Sequence, residues 1–252
     1  MPAAKFSEST VRDHFNHNST LYTDEYRDPY TRVCSERLQM LSPLFRSDQP
    51  ISLLDIGCGG RIFADLFLSS YPRASAWGFD LSENMLRSNR PHPRKHVLLA
   101  SAAAIPVRTG FFDVINIDTI MHHLIDHAGY SQTIKGIQRF LDGVKYLLAP
   151  GGVIAIREIY HESFVLDNLG ARCLFAITTT PLPSSCIAVL KKAGVNTANA
   201  GVCFLTRSQW RKAIHQAGYS VRALQANPWP RSVKLMACGF RGSGTLNYII
   251  SP

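Results

Sequence analysis

Short apolar runs that end on glycine or an acid alternate with amphipathic stretches through the middle of the chain. ISLLDIG has the pattern of a buried strand stopped by glycine, and RIFADLFLSS is helical. ASAWGFDLS is a second strand, closed by Asp80 and by Ser82, which can start a helix. ENMLRSNR then reads as helix, HVLLAS as strand and FFDVINID as the next strand. HAGYSQTIKGIQRFLDGVKYLLA predicts a long amphipathic helix that stops at Pro150-Gly151-Gly152, and VIAIREI follows as a strand. Strands alternating with helices imply an α/β fold, a doubly wound, mostly parallel sheet with helices on both faces.

The two flanks depart from this rhythm. Residues 1–45 are polar and helical, with Tyr22, Tyr26 and Tyr30 at four-residue spacing and a break expected at Asp28-Pro29. Such a helical segment reads equally as a lid or as a packing face. Residues 161–206 mix their signals, and their Thr, Pro and Gly clusters suggest an inserted cap on a single domain whose core is 46–160. LTRSQWRKAIHQAGYS predicts a helix with Thr206 or Ser208 as N-cap and Gly218 as its stop. Within 207–252, SVRALQA and SVKLMACGF read as an antiparallel C-terminal strand pair joined by NPWPR.

At 252 residues and 46% hydrophobic, the chain has the composition of a globular protein. No apolar run is long enough for a membrane span, and the N-terminus lacks a secretory pattern, so a cytoplasmic protein with reduced thiols is expected. The six cysteines form no CxxC pair, so no zinc ribbon is expected. The +9 formal charge is unevenly placed: all 18 acids lie before Asn168, and ten basic residues follow with no acid among them. That final third suits an anionic ligand, a nucleic acid, a membrane surface or plain solvent. If it roofs an acceptor pocket, an anionic acceptor is favoured.

LLDIGCGG follows the first strand and opens a helix. Gly57 and Gly59 let the backbone approach a ligand, and the helix start offers free N–H groups. Asp80, at the end of the next strand, can accept hydrogen bonds from both hydroxyls of a ribose. Ile62 stands where a dinucleotide fingerprint needs its third glycine, which disfavours NAD and FAD.

Over roughly residues 50–160 the sequence resembles class I, Rossmann-like S-adenosylmethionine-dependent methyltransferases of the small-molecule type. Asp55, Gly57, Cys58 and Gly59 match the family's first motif, which implies contact with the methionine part of the cofactor. Asp80 and Leu81 match the ribose motif, and Met85 the position packed near the adenine. Phe111 to Leu124 matches the fourth-strand motif, with Asp118 implied at the methionine end, and LLAPGGVIAIRE matches the turn and fifth strand. Two departures stand out: Gly60-Arg61 where many members have glycine at position 61, and Ser101 where many carry an acid. Adenine contact then falls to Ser101 or to backbone around Ala102.

The resemblance implies methyl transfer by in-line displacement from S-adenosyl-L-methionine, leaving S-adenosyl-L-homocysteine. That chemistry mainly needs positioning and exclusion of water, with a general base where the acceptor carries a proton. His122 and His123 are the sharpest base candidates, either of which can instead simply pack. Tyr22, Glu158, His161 and Trp210 are candidates to meet the acceptor, Trp210 and Trp229 being equally suited to the core. The expected partner is a small biosynthetic metabolite, with the chain a monomer or homo-oligomer. Nucleic-acid methylation is the runner-up, weakened because no Asn-Pro-Pro-Tyr or Asp-Pro-Pro-Tyr motif follows the fourth strand and no Pro-Cys pair occurs. A cofactor-binding protein without transferase activity, or a non-methylating enzyme using the same cofactor, are further alternatives.

Overall fold

The computed structural model describes residues 8–20, 27–60, 62–165, 168–180, 182–192, 197, 201–237 and 239–252. Seven strands form one sheet: β1 (Ser52–Ile56), β2 (Ser75–Asp80), β3 (Lys95–Leu99), β4 (Phe112–Asp118), β5 (Leu148–Ser163), β6 (Ser220–Pro228) and β7 (Phe240–Ser251). Their order is β3-β2-β1-β4-β5-β7-β6, parallel from β3 through β5 and antiparallel where β7 inserts between β5 and β6. This is the expected Rossmann-like sheet with an antiparallel C-terminal pair. The strand directions bring the ends of β1 to β6 and the start of β7 to one edge, where ligands of open α/β sheets bind.

The helices among the described residues are α1 (Glu8–His17), α2 (Arg27–Leu41), α3 (Ile62–Ser70), α4 (Glu83–Arg87), α5 (Tyr130–Lys145), α6 (Leu169–Thr179), α7 (Ser184–Lys192), α8 (Arg207–Gln216) and α9 (Val233–Ala237). Every residue of β1 is buried, because successive side chains serve two cores. Leu54 and Ile56 face Ile137 and Leu141 of α5 and Trp210 and Ile214 of α8. Leu53 faces Cys34 and Leu41 of α2 and Phe63 and Phe67 of α3. Truncating one of these buried leucines to alanine costs about 2–5 kcal/mol, so both layers hold the sheet edge in place.

Several expected boundaries move. Pro29 lies inside the first turn of α2 and does not break it, since a first-turn proline forfeits an N–H that has no helical partner anyway. Tyr22 and Tyr26 lie outside the described residues. The strand expected over SVKLMACGF is instead α9, and the chain becomes extended only at Phe240. The fifth strand starts before Pro150 and continues to Ser163, so His161, expected in the cap, stands on the sheet. Helix α8 keeps its predicted limits: Thr206 forms a capping box with Gln209, and Gly218 takes φ +78° just beyond the end.

Candidate active site

The loop after β1 is shaped by glycines that no other residue replaces cheaply. Gly57 and Gly59 have φ of +69° and +47°, and a Cβ on Gly57 would stand 2.5 Å from Ile120 Cγ2. Gly57 and Cys58 both donate their N–H to the Phe79 carbonyl, so the loop is pinned to β2. Cys58 packs where Gly78 lacks a side chain, and burial holds its thiol well above its usual pKa. It is therefore an inert packing group.

Asp80 spans this loop and the next. One oxygen accepts from Gly59 N–H at 2.9 Å and the other from Ser82 N–H at 2.8 Å. Burial raises its pKa, against the pull of those backbone donors. Ser82 caps α4 by accepting from Met85 N–H, which sets the Met85 side chain beside Gly59. Asp55 is turned into the sheet, accepting from Asn116 Nδ2 at 2.6 Å, and burial raises its pKa to about 7.

Asp118, expected at the methionine end of the cofactor, is ringed by protein groups. Its Oδ2 accepts from Tyr30 OH at 2.5 Å and from Arg37 Nη2 at 2.6 Å, while Oδ1 lies 2.9 Å from Arg157 Nε and accepts from Thr119. Both oxygens are thus committed to protein groups, and the two guanidiniums keep its pKa low despite burial. Arg37 is the residue that the sequence reading missed. It is fully buried, lies over the Phe63 ring at 4.8 Å, and leaves Nε and Nη1 without hydrogen-bond partners. Its signal in the sequence is a charge at the inward i+3 position between Cys34 and Leu41.

Helix α1 buries no residue of its own, yet it ties down three loops at this edge. Asn16 Oδ1 accepts from the Ser82 hydroxyl at 2.6 Å and from Asn84 N–H, and Asn84 Nδ2 donates to the Asn16 carbonyl. Phe15 meets the His123 ring edge-on at 5.4 Å, and the Ser101 hydroxyl donates to the Glu8 carboxylate. The Ser101 oxygen in turn accepts from Ala103 N–H, and Ala102 lies in the same turn, partly buried against the core.

Beyond β4, the 3₁₀ turn Met121–His123 carries the two histidines. Glu158, fully buried on β5, accepts from Met121 N–H at 2.7 Å and meets His122 Nδ1 at 2.8 Å. Burial pushes Glu158 up to about 8 and His122 down to about 3, which favours the uncharged form of each. With both groups uncharged, the contact can be made by the Glu158 O–H donating to Nδ1, which leaves the ring proton on Nε2. Phe204 stacks on His122 and meets His161 edge-on, and His161 Nδ1 lies 2.6 Å from Ser243 Oγ. His161 is depressed to about 4 by burial, and His123 sits well below its usual value, its Nδ1 3.3 Å from the Gly201 carbonyl.

One expected feature does not gather here. Trp210 is core, 1% exposed, with Nε1 donating to the Ile159 carbonyl. Tyr22 lies outside the described residues. Of the basic residues of the final third, Arg207, Arg211, Lys212, Arg222, Arg231 and Arg241 are exposed. Of these, Arg207 and Arg241 approach Glu162, and Arg222 donates to the Ser251 hydroxyl.

The family model described as a methyltransferase domain matches residues 24–224. Trans-aconitate 2-methyltransferase of Methylobacterium radiotolerans is 34% identical over 142 residues, 56% of this chain and 48% of that protein. Malonyl-[acyl-carrier protein] O-methyltransferase of Legionella pneumophila is 33% identical over 107 residues, 39% of this chain and 38% of that protein. The chain thus aligns with about half or less of the length of these curated relatives. Among solved structures, a chain from the complex of the Haloferax volcanii Trm112 methyltransferase activator with its methyltransferase superposes with a TM-score of 0.67. The identity is 14%, and 96% of each chain is covered. No helix among the described residues is long and apolar enough to cross a membrane. A family model that spans most of the sequence, on a sheet of this order with this glycine loop, leaves one assignment: the chain belongs to the methyltransferase-domain family, in its class I S-adenosylmethionine-dependent branch.

Proposed function

We propose that this chain transfers a methyl group from S-adenosyl-L-methionine to a small-molecule carboxylate, by in-line displacement and without a general base. One observation carries the choice of acceptor: His122 Nδ1 and Glu158 Oε2 lie 2.8 Å apart in a buried pair, where burial favours the uncharged form of each. In that state the Nε2 of His122 bears the proton and can donate to an acceptor oxygen, but it cannot remove a proton. An acceptor that is already ionised needs no such removal. Relatives named for trans-aconitate and for malonyl-[acyl-carrier protein] support a carboxylate.

When bound, S-adenosyl-L-methionine supplies an electrophilic methyl on a sulfonium that leaves without acid catalysis. The residues fit it. The two unpartnered nitrogens of buried Arg37, Nε and Nη1, suit the methionine carboxylate. The backbone at Gly57 and Gly59 gives the close approach, and Asp80 is the acceptor for ribose hydroxyls. Met85 and the Ser101 turn flank the adenine end, and α1 is hydrogen-bonded to the loops at Ser82 and Ser101, which suits it to close that end. His123 and His161 complete the acceptor side with Phe204. The anionic preference rests on His122 and not on the exposed basic residues.

The test is direct. Purified chain is incubated with S-adenosyl-L-methionine and a panel of carboxylic acids, phenols, alcohols and amines, and products are read by mass shift. Methyl esters are expected. Turnover confined to phenols or amines would overturn the carboxylate reading and leave the cofactor assignment standing.

A further inference from the structure

The edge that carries the candidate site also carries an apolar surface that the methyl-transfer reading does not use. Because β6 runs antiparallel to β7 and β7 antiparallel to β5, the ends of β5 and β6 and the connection between β6 and β7 share one edge. Three segments converge there. Phe164 and Val165 extend from β5, and Phe164 N–H donates to the Gly239 carbonyl just after α9. Trp229 follows β6, donates its N–H to the Ser243 carbonyl, and meets the His161 ring edge-on. On α9, Leu235 packs inward on the cluster around Phe240, which turns Val233 and Met236 outward.

The exposures are large for such residues, at 83% for Val233, 65% for Val165 and 55% for Phe164. Isolated exposed apolar residues are ordinary on any protein, but a cluster built from three separate segments marks an interaction surface. Its charge is one-sided. Exposed Arg231 and Arg241 border it, and the sequence from Asn168 to Pro252 holds no acid. Glu162, 12% exposed, is the neighbouring acid among the described residues, and it is engaged by Arg207 and Arg241.

We infer that this face docks on an anionic lipid surface, with Trp229, Phe164, Val165, Val233 and Met236 entering the headgroup boundary and Arg231 and Arg241 meeting lipid phosphates. Aromatic and aliphatic side chains with arginines at their border are what an interfacial layer accommodates, and anionic lipid adds attraction for each nearby cation. A second copy of the chain fits less well, because a two-fold contact through this face would bring together two patches that are both bordered by arginines. Nucleic acid would leave the apolar side chains unburied. Through Trp229 the docked face adjoins His161, so a docked molecule holds its candidate site close to the lipid. The inference does not depend on which acceptor is methylated.

Flotation of the full chain with vesicles of phosphatidylcholine, with and without phosphatidylglycerol, tests it. The chain is expected to float with the anionic vesicles at low ionic strength and to be released at high ionic strength. V233E/M236E, and separately R231E/R241E, should each lower vesicle binding by about tenfold or more, with unchanged melting and unchanged S-adenosyl-L-homocysteine affinity. Brominated lipids should quench Trp229 in the wild type, and W229F should lose that signal. Should either double variant fail to fold, the quenching of the wild type decides. A chain that stays with the unbound fraction on anionic vesicles, or variants that bind as wild type, would overturn the inference. So would a lipid-free dimer that V233E/M236E converts to monomer, which assigns the face to a second copy.

Discussion

Arg37 reaches from the inward side of α2 to the end of β4 and closes on Asp118 at 2.6 Å, with neither side chain open to solvent. Arg157 and Tyr30 share the same carboxylate, so one acid fixes two cations and a phenol. Removing the acid should leave both guanidiniums buried without a counter-charge. Asp118→Ala is expected to destabilise the fold by about 3–5 kcal/mol, measured by urea denaturation.

Arg37→Leu separates cofactor contact from structure. Each lost charge-assisted hydrogen bond costs about 1.5–3 kcal/mol, so calorimetric affinity for S-adenosyl-L-homocysteine should fall at least tenfold. An analogue lacking the methionine carboxylate should bind both proteins alike. Equal losses for both ligands would refute the carboxylate contact.

Glu158 gives the reaction a pH dependence with a definite sign. Above about 8 its carboxyl ionises, draws the ring proton to Nδ1 and strips Nε2 of its donor. Methylation of a carboxylate should therefore decline through that pH, whereas a hydroxyl acceptor would gain from the exposed base. Glu158→Gln mimics the protonated acid, with its amide N–H toward Nδ1 and its carbonyl toward Met121 N–H. The variant should keep neutral-pH activity and lose the alkaline decline. Stability follows the same group: its folded pKa is raised, so stabilisation is full at low pH and is lost as pH rises towards about 8. Glu158→Gln should flatten that trend in thermal melts taken across the range.

Asn16→Ala tests α1 as a closure. Two hydrogen bonds to the loop at Ser82 and Asn84 disappear while the backbone contact remains. With about 0.5–1.5 kcal/mol for each bond, cofactor dissociation measured by stopped flow should quicken several-fold, with little change in global stability. An unchanged dissociation rate would mean that the helix rests on the edge without holding it shut.

Gly57→Ala should damage the loop twice, through a positive φ and through a Cβ 2.5 Å from Ile120. A loss of about 1–3 kcal/mol is expected by denaturation. Ile120→Ala in the same chain should recover part of it, since only the clash is relieved.

The sequence alone determined the alternation of strand and helix, the glycine loop, Asp80 at the end of β2, and the cap at Ser82. These features are local: hydrophobic period, permitted backbone angles and side-chain caps are fixed by neighbours in the chain. It misread what depends on neighbours far along the chain. VKLMA is helical because Leu235 finds a buried place beside Phe240 while Val233 and Met236 face outward, and no local pattern announces that. The place of Trp210, which the sequence left open between pocket and core, and the arginine partners of Asp118 were decided by Ile159 and Arg37 on other elements. The uneven charge was legible by counting, but where the arginines point was decided by the packing of β5, β6 and β7. The pairing of His122 with Glu158 likewise exists only in three dimensions, because burial of both groups together suppresses their charges.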